Sequence, residues 1–277
     1  MNVLTRIAEG EVIPTYAPGL EYRLLHAVRQ IKDANGDDVY VKPKSLAKFG
    51  SNQLVGTSYA TVMDLPTGIL NETFVSTDAI THFSSSDAGD TQEIVVEGHT
   101  IDGSGNLTFS TQTVTLVGQT KTALTTPLAR CTRAYNNGTT DLAGDLYFYE
   151  DGTVTSGVPD TASEVHLIVK SSQNQSSKAA TSLSQYDYWI LTGVNGSVNK
   201  KTSATVDIEL QVRNKGKVFR TIFNFSLSSS GQSTSEYNLN PCIIVEPNSD
   251  IRLRAIASTT AVSVSGRIKG YLAIKRT

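Results

Sequence analysis

VDIELQVRNKGKVFRTIFNF, residues 206–225, is the stretch that decides the fold class. Val206, Ile208, Leu210 and Val212 share one face of an extended chain, and Asp207, Glu209, Gln211 and Arg213 share the other, because successive strand side chains point to opposite sides. This predicts a half-buried strand. Asn214, Lys215, Gly216 and Lys217 supply a turn, after which Phe219, Ile222, Phe223 and Phe225 resume with residues that favour strands. The stretch reads as a hairpin with no catalytic nucleophile, no histidine and no metal-ligand pair. Its polar face is a candidate contact surface.

The composition of the whole chain agrees with that reading. Of 277 residues, 39% are hydrophobic, enough to bury a sizeable core. Ser and Thr, 62 in number, outnumber the 50 charged residues, and runs of Ala, Leu, Glu and Lys are missing, a balance that favours strands over helices. A net charge of −2 and a pI near 6.1 give no overall attraction for nucleic acid or an anionic membrane, so the expected partners are proteins. The opening MNVLTRIAEGEVIPTY has no basic region followed by an apolar run, and no segment reaches the roughly 18 apolar residues of a membrane span. The expectation is a chain neither exported by such a signal nor embedded. Cys131 and Cys242 lack CxxC spacing and read as buried thiols, not as a zinc cage or a disulfide framework.

Four regions follow along the chain. Residues 1–74 read as an N-terminal arm or docking segment: LEYRLLHAVRQI sets Leu20, Leu24, Val28 and Ile31 at steps of three and four, the spacing of a short amphipathic helix or of an extended segment. Residues 75–170 read as a β-sandwich domain. There EIVVEGHTI and LTFSTQTVTLVG flank a turn at residues 102–106, with a change of face between Phe109 and Val114 that predicts a bulge. TRAYNNG, DLYFYEDG and EVHLIVK supply further strands at regular intervals. SSQNQSSKAATSLSQ, residues 171–185, is polar and aperiodic and reads as a linker or surface loop. Residues 186–277 form a second set of strands: YWILTGVNGSV, the opening hairpin, YNLNPCIIVEP, DIRLRAIAS and VSVSGRIKGYLAIK. The predicted fold is all-β: two antiparallel β-sandwich or jelly-roll-like domains preceded by an arm.

The candidate chemical sites are thin. His26, His82, His99 and His166 are scattered without metal-pair spacing. DANGDD, from Asp33, has its glycine in the fourth position and no closing glutamate, so it reads as a turn and not as a calcium loop. GSGN at residues 103–106 is a hairpin loop lacking the strand-to-helix context of a phosphate loop. Glu150 and Asp151 sit beside a turn, where acidic residues are ordinary. Trp189 with Tyr186 and Tyr188 is either a sugar-stacking platform or a core anchor. Nothing implies a catalytic residue, cofactor or metal. Arg252 and Arg254 share one face of a basic C-terminal strand and offer a contact surface for an acidic partner, and Leu20, Leu24, Val28 and Phe49 are apolar contact candidates in the arm.

LAKFGSNQLVGTSYATVMDLPTG, residues 46–68, resembles a segment near the start of structural proteins of tailed, marine-type bacteriophages, with Met63-Asp64 where those have Trp-Asp. ITHFSSSDAGDTQEIVVEGHTIDGSGNLTFSTQTVTLVGQTKTALTTPLARCTRAY is similar to the domain that follows in them. YWILTGVNGSVNKKTSATVDIELQVRNKGKVFRTIF and EPNSDIRLRAIASTTAVSVSGRIKGYL are similar to their C-terminal domain. The resemblance spans residues 46–273 in order and implies a non-enzymatic virion protein, a capsid decoration, minor capsid or tail-associated component. Its implied partners are other virion proteins, capsid or neck and tail subunits, and further copies of itself; the apolar residues of the arm are expected to pack either on the chain's own β domains or, as the resemblance favours, on neighbouring subunits. The alternative is a tail or fibre module that binds or degrades host-surface carbohydrate.

Overall fold

The computed structural model describes residues 41–275, apart from Ser172 and Lys201. Leu20, Leu24 and Val28, the helical spacing through Ile31, His26 and the turn from Asp33 lie outside the described residues.

Strands make up nearly all the regular structure of the described residues, beside one 3-10 turn at Ala162–Glu164. β1 (Val41–Val55) and β2 (Ala60–Thr61) come first, followed by β3 (Ile80–Ser85), β4 (Glu93–Ile101), β5 (Leu107–Thr115), β6 (Thr122–Leu128), β7 (Arg130–Asn136) and β8 (Leu146–Tyr149). A small hairpin of β9 (Val154–Thr155) and β10 (Val158–Pro159) precedes β11 (Val165–Val169). The remainder holds β12 (Ala180–Ser182), β13 (Asp187–Asn199), β14 (Thr205–Arg213), β15 (Arg220–Ser228), β16 (Thr234–Val245), β17 (Asp250–Ala257) and β18 (Val262–Lys275). Every pairing is antiparallel.

The strands form two double-layered units. In the first, the sheet β11-β8-β3-β6 and the sheet β5-β4-β7 share a core of Ile80, Phe83, Ile94, Val96, Leu116, Leu128, Leu146, Phe148 and Leu167. In the second, β1-β18-β13-β16 packs on β12-β17-β14-β15, with β2 added at β17, around Trp189, Leu191, Val206, Ile208, Leu210, Phe225, Leu253 and Ile268. The hairpin that opened the sequence reading is β14–β15, pairing Val206 with Leu227 and Ile208 with Phe225, and Gly216 turns the chain at φ +69°. Val206, Ile208 and Leu210 have no solvent exposure, whereas Asp207 faces water. Sequence alternation has become sheet sidedness.

Three expectations need correction. The first is residues 41–63, read as part of an arm. They supply β1 and β2 to the second sandwich, with β1 paired along β18 from Val41–Lys275 to Val55–Val262. An edge strand with a glycine at Gly50 shows little hydrophobic alternation, which hid it; a Cβ at Gly50 would strike the backbone of Val62 and Ala179.

The second is residues 171–185, read as a linker or surface loop. Residues 176–184 are all buried, stitched by Ser176 N–H to Ala134 O (2.8 Å), Lys178 N–H to Phe49 O (2.9 Å) and Ala179 N–H to Val62 O (3.0 Å), and then by β12 on β17. Polar residues are tolerated there because backbone and hydroxyl groups find partners. The third is the bulge predicted near Phe109. The β4–β5 register runs unbroken from Glu93–Thr115 to Ile101–Leu107. Phe109 simply faces outward, packing its ring edge-on to His99 at 5.6 Å.

Candidate functional site

The densest polar chemistry lies in the seam between the two sandwiches. Arg130 opens β7 of the first unit and Asp250 opens β17 of the second, so the topology brings both to the junction. Arg130 Nε donates to Asp250 Oδ1 at 2.8 Å, and its Nη1 donates to Ala129 O at 2.8 Å and to Val75 O. Arg213, at the end of β14, donates Nε to Asp250 Oδ2 at 3.0 Å, and Ser182 Oγ donates to Oδ1 at 2.5 Å. Burial alone would raise the Asp250 carboxyl, but the hydrogen bond and charge of Arg130, with Arg213 and Ser182, carry it below its ordinary value. The carboxylate is therefore ionised and saturated.

A second buried pair joins Lys178, on the stitched segment, to Glu72. The Lys178 ammonium also donates to Cys131 O at 2.6 Å. Around these pairs, guanidinium and ring planes alternate. Arg130 lies 5.2 Å and Arg213 4.8 Å from the centre of Phe74, Arg213 lies 4.8 Å from Phe219, and Arg252 lies 4.0 Å from the same ring. Each such contact draws the cation to the negative face of the ring. Cys131, beneath Lys178, is fully buried and its thiol is pushed up to about 12 by that burial, so it is inert.

The residues singled out from sequence are thus located. Arg252 and Arg254 do share one face, as β17 requires, but both are engaged within the chain: Arg252 Nε donates to Gln211 Oε1 at 3.1 Å, and Arg254 Nε donates to Glu209 Oε2 at 3.0 Å beneath Tyr59. Burial, then the charge of Arg254, pulls Arg252 down to about 10. Phe49 is 45% exposed on β1, in a different sheet from Arg252 and Arg254. Trp189 has no exposure and is a core anchor, so it forms no sugar platform. Glu150 receives His166 Nε2 at 2.9 Å and Asp151 binds Lys121, a divided use that does not pair them across a cleft. Cys242 is half-buried, not buried as expected.

Sequence reasoning missed Arg130, Asp250, Lys178, Glu72 and Phe74, because an ion pair between residues more than a hundred positions apart leaves no local pattern. It also missed a second feature, a shallow depression of about 760 Å³ on the outer face of the β1-β18-β13-β16 sheet. Register sets two rows along it, Phe49–Arg267–Asn195–Glu236 and Ser51–Ser265–Ser197–Thr234. It therefore offers one exposed ring, a guanidinium, a carboxylate, an amide and a line of hydroxyls.

No family model matches the chain, and no curated protein matches it. Among solved structures it is similar to the VP2 subviral particle of infectious bursal disease virus, at 12% identity and TM-score 0.23, over 92% of this chain and 78% of that one. The T13 particle of the same virus is similar at 9% identity and TM-score 0.23, over 92% and 74%. Likeness at this level carries no argument about what the chain does.

Proposed function

We propose that the chain is a non-enzymatic structural component of a tailed-phage virion, a capsid decoration, minor capsid or tail-associated protein held by protein–protein contacts and present in symmetric copies. The observation that carries the reading is the seam: among the described residues, most of the buried charge, Arg130 with Asp250 and Lys178 with Glu72, fixes two sandwiches against each other, which suits a part that must keep its shape under load. The ordered resemblance of residues 46–273 to phage structural proteins supplies the setting. A cryo-EM map of the purified particle tests this. Both sandwiches should fit symmetric density as one rigid body; absence of the chain from purified particles would overturn it.

The outer-sheet depression favours a second reading, a module that binds host-surface carbohydrate. A pyranose has an apolar face that stacks on a ring and hydroxyls that pair with amide, carboxylate and hydroxyl groups, and the two rows provide both. A glycan array run with the unaltered chain and with Phe49→Ala decides it: signal lost in the variant supports binding there, and a blank array leaves the structural role alone.

A further inference from the structure

The depression on the outer face of the β1-β18-β13-β16 sheet carries an unbalanced charge. Ile268 and Gly266 turn into the sandwich, Ile268 as part of its core and Gly266 with no room for a Cβ beside Leu253, so Arg267 between them turns out to solvent. Register sets it in one row with Phe49, Asn195 and Glu236. The carboxylate of that row is already engaged, because Lys269 donates to Glu236 Oε1. Gly193 allows this: the lysine stem lies across it, and a Cβ there would strike Lys269 Cε. Arg267 is left exposed, with no hydrogen bond or ion pair among the described residues.

Beside this row, Ser51–Ser265–Ser197–Thr234 presents only short hydroxyl side chains, which is what sinks the face. Ser177 closes it at the β1 edge, its hydroxyl 3.0 Å from that of Ser51. Four strands spaced about 4.8 Å apart make each row about 14 Å long, room for a short oligosaccharide lying across them. A neutral glycan would cover the Arg267 guanidinium and leave it unpaired, at a desolvation cost. A planar carboxylate matches the guanidinium fork and balances its single charge.

Resting on the carbohydrate reading of this depression, we propose that its ligand is an acidic polysaccharide, a uronate-bearing chain whose carboxylate seats on Arg267. A neighbouring ring stacks on Phe49, and sugar hydroxyls meet Asn195, Ser197 and Ser265.

Calorimetric titration of the full chain with oligogalacturonate, oligomannuronate and oligoglucuronate, each beside its methyl ester, tests this, since the ester keeps the rings and hydroxyls and removes the charge. At least one uronate should bind about tenfold more tightly than its ester, and Arg267→Gln should erase the difference. Glu236→Gln, which releases Lys269 as a second cation, gives an independent reading and should tighten uronate binding about threefold. Equal binding of acid and ester, both lost in Phe49→Ala, overturns the proposal and leaves the carbohydrate reading standing. Binding of none of the uronates overturns the proposal, and a blank glycan array beside it overturns the carbohydrate reading as well. A uronate preference that survives Arg267→Gln, or a dextran sulfate oligomer held as tightly as the uronate, also overturns it.

Discussion

Ile208 and Asp250 are both nearly without solvent contact, one inside the second sandwich and the other in the seam between the two. Ile208 is held by neighbours of the same kind, on Val206, Leu210, Phe225 and Leu253, and its burial is favourable wherever the apolar surface is removed from water. Asp250 is held by two guanidinium groups and a hydroxyl, and its burial is tolerable only while they stay. The difference teaches where the molecule is forgiving. A core loses stability in proportion to what is removed, whereas the seam loses it according to what is left behind.

The largest expected effect breaks the seam from one side. Asp250→Ala or Lys178→Ala leaves a buried charge uncompensated and should cost about 3–5 kcal/mol, read from urea unfolding. Replacing both members of the Lys178–Glu72 pair, by Met and Leu, should cost far less, within about 1 kcal/mol, because no charge is stranded. A double variant as damaged as the single one would show that the seam needs charge and not merely balance.

Next come the cores. Ile208→Ala and Leu210→Ala should each cost about 2–5 kcal/mol from lost transfer energy and the cavity left. Unlike the seam, no second substitution nearby should restore the loss. Values below about 1 kcal/mol would mean that the inner face of β14 is not packed as described.

The legibility of the molecule follows the same division. Val206, Ile208 and Leu210 could be placed from sequence because a core strand repeats its chemistry every second residue. The stitched segment 176–184 could not: Ser176, Ser177, Lys178, Thr181, Ser182 and Ser184 look solvated, and only three-dimensional partners make their burial affordable. β1 was hidden likewise, since Lys44, Ser45, Gln53 and Leu54 are exposed and Gly50 has no side chain to pattern. Of the seam, Arg213 and Phe219 were visible on the opening hairpin and Arg252 on a strand face shared with Arg254; that their partners are internal was invisible without the neighbouring strands.

A pH series sharpens the contrast from another side. His99 is buried, and burial first, then the charge of Lys48, pulls its pKa down from 6.5 to about 3. The unfolded chain therefore binds a proton there between those values and the folded chain does not. Stability should fall as pH drops below about 6.5, by up to about 1.4 kcal/mol per pH unit from this one group. His99→Phe should remove that part of the acid slope and leave the slope contributed by Asp250, whose pKa is depressed, at lower pH. An acid limb of unchanged steepness in the variant would mean that His99 takes up its proton while folded.

The smallest expected effect lies on the polar face of β14, where the sequence pattern alone suggests solvated side chains. Glu209 is not left to water: its carboxylate accepts Tyr59 Oη at 3.0 Å, Arg254 Nε at 3.0 Å and Gln211 Nε2 at 3.1 Å. Its side chain keeps 15% of its exposure, so the pair with Arg254 is screened less than a surface pair and more than the seam. Glu209→Ala should cost about 1 kcal/mol, between the few tenths typical of a surface change and the several of a stranded seam charge. Glu209→Gln, which keeps an acceptor for Tyr59 but loses the charge, should cost about half of that. Thermal melts of the two variants beside Lys217→Ala, on the exposed turn, measure the gradient directly. If Glu209→Ala matches Lys217→Ala, the outer face of β14 is a solvated surface and the Arg254–Glu209–Tyr59 contact contributes nothing to holding β2 and β14 across β17.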